Sequence, residues 1–201
     1  MMDMPKKTGL RIWRRFCRNR DGVAAVEFAL LLPVMLITYT GMVDVVQLVM
    51  VNRKVTQLTS ALSDLTARVQ SVSSTDVQNI FNAARSILMP YDSDKVTMVI
   101  ASVVIDPAGV AKVCWSEPRD GTAPARGTSI TIPDTYRVPG TSVIMARASY
   151  EYTPIVGYVL TKSFTLGDSP IYARPRNGVA GGTNNIEQVV RTGTNPCPLY
   201  N

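Results

Sequence analysis

Val23 to Val51 reads VAAVEFALLLPVMLITYTGMVDVVQLVMV, with only Glu27 and Asp44 charged. Phe28 to Val43 is an uncharged run of 16 residues. A helix needs about 20 mostly apolar residues to cross about 30 Å of hydrocarbon. With the two carboxylates placed toward the interfaces, residues 23–51 are expected to form a transmembrane helix. Two other readings compete. A buried core helix that is apolar on every face needs a larger protein around it. A cleaved secretory signal has a shorter apolar region, about 7–15 residues, followed by a small-x-small site. Here the helical pattern continues past Val51, so an uncleaved anchor, or a leader removed on its cytoplasmic side, fits better. Pro33 inside the span should bend it mildly, as transmembrane helices tolerate.

Residues 1–22 form a basic leader. Lys6, Lys7, Arg11, Arg14, Arg15, Arg18 and Arg20 stand against Asp3 and Asp21. The whole chain of 201 residues carries a formal charge of +6, so most of it belongs to this leader and the remainder is nearly neutral. Lys and Arg before a span stay cytoplasmic, which puts the chain after residue 52 on the periplasmic side of an inner membrane; Arg53 and Lys54 oppose this weakly. Trp13 and Phe16 either rest at the headgroup boundary or are ordinary leader residues. No basic-aromatic cluster exists beyond the leader, which argues against nucleic acid as a partner. The chain has no His and three Cys. That excludes Ser-His-Asp and Cys-His catalysis, His-ligated metals and a Cys₄ centre within one chain. No metal-ligand spacing occurs among the carboxylates, and Gly178, Gly181 and Gly182 lack the strand-to-helix setting of a phosphate cradle. Neither an enzyme nor a cofactor is expected.

Gly22 directly precedes the apolar segment, Glu27 comes five residues later, and Phe28 follows. This layout is that of a type IV prepilin cleavage site. GVAAVEFALLLPVML, followed by an acidic residue in the outer part of the span, resembles the TadE/TadG-like family, the minor pseudopilins of tight-adherence (Flp/Tad) pilus assembly. Residues 18–70 carry the resemblance well; the rest shares only a general plan of strands with a Tyr-rich late segment. The resemblance implies that a prepilin peptidase cuts between Gly22 and Val23. Glu27 then becomes the fifth mature residue and Phe28 the sixth, a position where major Flp pilins typically carry Tyr. Phe28 and the length of the chain both suit a minor member rather than the bulk filament subunit. The resemblance further implies that Glu27 neutralises the N-terminal amine of a neighbouring subunit, and that other Tad/Flp pilus assembly proteins, pseudopilins and the lipid bilayer are partners. A simpler reading of Glu27 is a carboxylate near a helix N-terminus, favoured by the macrodipole and reached by water. Asp44, about 25 Å further along a helix at 1.5 Å per residue, is expected at the outer interface. The two point about 100° apart and form no acid-base pair.

Beyond the span, Leu48, Val51, Val55, Leu58, Leu62, Leu65, Val69 and Val72 alternate spacings of 3 and 4. The helix should therefore run on to about residue 70, its stripe packing on the chain's own sheet or, alternatively, in a coiled coil with a partner. Residues 52–90 read as amphipathic helices, with Thr75 and Gln78 as a capping box for the second. Lys95–Ile105, Val110–Ser116, Ser142–Tyr152 and Lys162–Tyr172 read as strands, with a short one near Ile130. Residues 91–174 thus form a small β-rich periplasmic domain, and 175–201, rich in Gly, Asn and Pro, a loosely ordered tail. The fold class is α+β and pilin-like: a long N-terminal transmembrane and amphipathic helix, then antiparallel strands. Tyr150, Tyr152 and Tyr158 read as packing rather than as a stacking surface.

Cys17 falls in the cytoplasmic leader, while Cys114 and Cys197 share the oxidising side, so these two form a disulfide or Cys114 remains a buried thiol. The function expected is membrane-anchored structure and assembly. The rival from another class is a signal-anchored periplasmic ligand-binding or enzymatic domain, with a site in the loop 117–141.

Overall fold

Between Val23 and Ala67 the chain has a single proline, Pro33, and a single glycine, Gly41, and one helix, α1 (Val23–Ala67), runs through both. The structure is a computed structural model that describes residues 22–154 and 161–197. The basic stretch 1–21, with Trp13, Phe16 and Cys17, and also Tyr158, lie outside the described residues. The chain divides into two compact units, α1 as far as Val45 belonging to one and the second beginning at Val46. In the first, the long apolar side chains from Val23 to Met42 are exposed. Gly41 and Asp44 are the exceptions, and both are buried.

In the second unit, α1 acquires a buried side. Val51, Val55, Leu58 and Leu62 are fully buried in the main core. They repeat at 3 and 4, so they form one stripe, while Asn52, Arg53, Thr56 and Gln57 between them face outward. The stripe packs on the chain's own sheet rather than on a partner helix.

After α1 come β1 (Ser71–Val72), α2 (Ser74–Arg85), β2 (Val96–Ile105), β3 (Ala111–Arg119), β4 (Thr141–Tyr152), β5 (Phe164–Gly167), β6 (Ile171–Ala173), β7 (Val179–Gly181), β8 (Ile186–Gln188) and β9 (Val190–Arg191). The main sheet has the order β3-β2-β4-β5, with β6 also on β4, and every pairing in it is antiparallel. Alternation divides its side chains between two cores. Met98, Ile100, Ile144, Ala146 and Tyr150 join α1 and Phe81 of α2. Val103, Ile105, Val113, Val143 and Met145 face the other way and are covered by Ile132 and Tyr136 of the loop after β3.

Several sequence expectations shift. α1 stops at Ala67 rather than near 70. The cap of α2 is Ser73, whose hydroxyl accepts from the Asp76 amide at 3.2 Å, while Asp76 accepts from the Ser73 amide at 2.9 Å. Asp76 succeeds where Gln78 was expected because it sits at the third helical position, from which a short carboxylate reaches back. The strand expected over 162–172 is broken into β5 and β6, because Gly167 and Asp168 both have positive φ. At Gly167 a methyl group would lie 2.5 Å from the Ala148 carbonyl oxygen and 2.6 Å from Val55, so only glycine lets β5 approach α1. Near Ile130 there is an isolated bridge from Lys112 to Ser129 in place of a strand.

The largest correction concerns the C-terminal segment, which is packed from Asn177 to Cys197 rather than loose. β7 and β8 form a hairpin, and β9 pairs in parallel with β1. Ile186, Gln188, Val189 and Cys197 are buried. Composition misleads here because the glycines and asparagines serve tight turns, while Ile186, Val189 and Cys197 point inward.

Hydrogen bonds from the Ser73 hydroxyl and amide hold the Asp76 carboxyl below its ordinary range. Its contribution to stability is therefore complete above that range and is lost as the pH falls through the lowered value. Thermal melting of the detergent-solubilised protein should show Asp76→Asn less stable than the parent at neutral pH, with the gap closing as the solution is acidified through the lowered carboxyl range. A gap independent of pH would exclude the charged cap.

Candidate functional site

The residues singled out at the N-terminal end are Gly22, Val23, Glu27 and Phe28. α1 begins at Val23, directly after Gly22. All four are exposed. A side chain added at Gly22 would meet nothing within 4 Å, so packing places no demand for glycine there. Val23 and Glu27 stand four residues apart, which puts them on one face of the helix, about 5–6 Å between Cβ atoms. Phe28 lies on the adjoining face, more than half exposed. Glu27 lies just past the first turn, which holds no acidic residue, so the helix macrodipole favours its carboxylate only weakly.

The surface that continues from this point is unusual. In the most apolar 18-residue window of α1 no residue is buried, and a helix this long and apolar is consistent with a single-pass membrane anchor. Two of its threonine hydroxyls bond back to the helix backbone. Thr38 donates its hydroxyl to the Val34 carbonyl at 2.8 Å, and Thr40 to the Ile37 carbonyl at 3.1 Å. Both therefore present mostly carbon outward. Asp44, expected at the interface, is instead buried, with 1 % of its surface exposed.

The two cysteines of the described chain are brought together by an irregularity that periodicity could not show. Opposite Ser102 and Val103 of β2, the β3 partners are Trp115 and Val113. Cys114 is the extra residue of a bulge. The bulge breaks the alternation, so Cys114 and Trp115, although adjacent, both join the main core while Val113 joins the other. From there Cys114 forms a disulfide with Cys197, 83 residues later. The tail is held by more than this bond. Trp115 donates its indole N–H to the Val189 carbonyl at 2.7 Å. Buried Gln188 grips Cys197 through both ends of its amide, accepting from the Cys197 amide at 3.0 Å and donating to its carbonyl at 2.7 Å. Arg191 reaches Glu117 at 2.8 Å, the Val72 carbonyl at 3.1 Å and the Ser74 hydroxyl at 2.9 Å. The Gln188 clamp had no signal in the sequence: a lone Gln in a Gly- and Asn-rich segment reads as solvated.

Among the described residues no group of three or more His, Cys, Asp or Glu is placed to hold a metal. Tyr150 and Tyr152 are core residues, and burial pushes the Tyr150 hydroxyl above its ordinary value. The loop after β3 covers the second core with Ile132 and Tyr136. What the chain offers is an exposed apolar helix with a carboxylate near its start, and a clasped domain.

The family model described as TadE, TadE-like protein, matches residues 22–62. That range opens on Gly22 and runs through the apolar helix into the buried stripe. No curated protein and no solved structure matches the chain.

A disulfide closing so long a loop contributes roughly 4 kcal/mol in the chain-entropy model. In the native, unreduced protein, mass-spectrometric thiol labelling should leave both Cys114 and Cys197 unmodified, and both should react after reduction and unfolding. Free labelling of either before reduction would exclude the bond.

Proposed function

We propose that this chain, a TadE-like protein by its match over residues 22–62, is a minor pseudopilin of Flp/Tad type IVb pilus biogenesis. The match suggests a Tad pilus-associated component, and that family is generally structural rather than enzymatic. In the finer reading, the basic leader stays in the cytoplasm, the helix spans the inner membrane once, and the disulfide-clasped domain is periplasmic. A prepilin peptidase cuts between Gly22 and Val23. The new amine of Val23 and the carboxylate of Glu27 then lie a turn apart on one face of the helix. In an assembly of parallel helices, the Glu27 of one subunit meets the amine of another. A carboxylate within hydrocarbon costs roughly 2.5–3.5 kcal/mol on insertion scales, and such pairing offsets that cost. Phe28, beside it, contributes an apolar contact to the same junction. Pilus assembly proteins and other pseudopilins are the partners, and adhesion or secretion is the system-level outcome.

The observation that supports this reading most is the glycine. Gly22 is exposed, sits outside the left-handed region and has open space around it. The fold does not need it, whereas a peptidase that must draw extended chain into its cleft does.

Intact-mass analysis of membrane-extracted protein from a cell with active prepilin peptidase should show a mature chain beginning at Val23. Gly22→Phe should retain the leader and abolish the protein's part in piliation while leaving the Cys114–Cys197 bond intact. Normal processing and piliation of that variant would refute the assignment.

Glu27→Ala should still insert and be processed, yet it should no longer co-purify with other pilus assembly proteins. Glu27→Asp should recover part of that association. Undiminished association of the alanine variant would remove Glu27 from the assembly role.

A further inference from the structure

The exposed apolar surface of α1 does not stop where the second unit begins. Val46, Val49 and Met50 are all about half exposed. They lie on one side of the helix, opposite Val51 and Val55 of the buried stripe. Asp44 is buried, so the first exposed charge after them is Arg53. Taking the first exposed cation as the limit of the apolar surface, hydrocarbon reaches α1 as far as about Met50.

Other elements of the same unit descend beside α1 to that level. Tyr91 donates its hydroxyl to Gln47 at 2.8 Å. Five residues later β2 starts at Val96, which pairs with Tyr150 of β4. The far end of α1 is tied to the opposite part of β4. The Arg176 amide donates to the Ala67 carbonyl at 2.8 Å, and Ala173 pairs with Ile144. Strands and helix therefore run alongside each other, and their levels can be matched. Gly167 lies against Val55. Phe164, three strand residues away, is about 10 Å further along, the rise of about seven helical residues. That places Phe164 level with Leu48.

Among the described residues at this end, two large apolar side chains are exposed. Met89 is 70 % exposed and Phe164 is 37 % exposed. Lys54 donates its ammonium to the carbonyls of Ile87 and Met89, the first at 3.1 Å. Those carbonyls would otherwise lose their hydrogen bonds on leaving water, so Lys54 prepares the loop for a less polar surrounding. Arg53, Lys95 and Lys162 are exposed around the rim, as are Asp92 and Glu151. The charges roughly balance, so attraction here is apolar rather than electrostatic.

We propose that this end of the domain rests on the lipid bilayer, with Met89 and Phe164 inserted into the headgroup layer beside α1. Continuity selects lipid as the occupant: the helix that leaves this end is the one whose exposed apolar surface calls for a membrane, and that surface extends without a break to the level of both side chains. Arg53 and Lys162 keep their charges among the headgroups by extending along their stems. The inference rests on the membrane-anchor part of the proposed function, and it adds a second attachment that fixes the domain against the membrane surface.

The test uses the full chain in phosphatidylcholine vesicles with or without acyl chains brominated near the headgroup. Met89→Trp and Phe164→Trp are compared with the parent, which supplies the background of Trp13 and Trp115. Val138→Trp is the control, since Val138 neighbours Gly140, whose amide donates to Ile105 at the far end of β2. The added emission at 89 and 164 should be blue-shifted and quenched by brominated lipid, unchanged by salt, while that at 138 should be neither shifted nor quenched. Vesicle flotation run in parallel separates the failures. Protein that floats with both added tryptophans unquenched overturns the docking and spares the anchor; protein that does not float overturns both. A blue shift that grows with the protein-to-lipid ratio without bromine quenching assigns the face to a second copy of the chain, and also overturns the proposal.

Discussion

One helix must satisfy two surroundings, and the rest of the molecule follows from where it changes between them. Up to Val45 most long side chains of α1 project outward; Gly41 and Asp44 are buried and Thr40 and Val43 half-buried. From Val51 the same helix has an inside and an outside, and its inside is the floor of the main core. Nothing in the backbone marks this transition. It is set by side chains alone: apolar residues on every face give way to a single stripe with polar residues between. The sheet exists to cover that stripe, and its own second face then needs the loop carrying Ile132 and Tyr136.

A sheet of this size leaves an edge at β3 and an end at Ala67, and the C-terminal segment closes the second. β9 pairs with β1 in parallel, which links the turn after α1 to the last strand of the chain. The clasp works because of one bulge. Without the extra residue at 114, strict alternation would send Cys114 to the face opposite Trp115, away from Cys197. With it, the disulfide, the indole hydrogen bond and the Gln188 clamp all act on residues 188–197. Redundancy of this kind suits a domain whose core is small for its surface.

How much of this could be read from the sequence depends on the range of the interaction responsible. The apolar helix, its stripe and the three long strands are written in local periodicity, and each appears close to where it was expected. The Ser73–Asp76 cap was displaced by two residues because Ser73, Ser74 and Thr75 are all acceptable caps; only the reach of Asp76 decides among them. The packing of the tail escapes local periodicity for a different reason. Its stability comes from residues 70–120 positions earlier, and no pattern within 175–201 reports that Trp115, Val72 or Gln70 awaits it. Asp44 belongs to the same class, since a carboxylate in an apolar run gives no local sign that it will be buried. At the N-terminal end, by contrast, everything relevant lies within seven residues, which is why that candidate was visible.

The two carboxylates of α1 are placed differently, Asp44 buried and Glu27 exposed. An ionisable group on an apolar helix must be compensated. Asp44 is buried, with 1 % of its surface exposed. Glu27 is exposed, and the five residues before it offer no side chain longer than valine. Within lipid such a carboxylate calls for water at the interface or for a cation at the same depth. Water suffices for a subunit at rest, with the carboxylate near the boundary. Once helices gather side by side, water is displaced from between them, and a carboxylate that had been tolerable becomes costly unless a cation arrives at the same depth. On the proposed reading, cleavage after Gly22 creates such a cation at a fixed height, one turn from the carboxylate on every subunit. The pair then favours one axial register over its neighbours, so the carboxylate that carries a cost in a single helix sets the alignment when several helices meet.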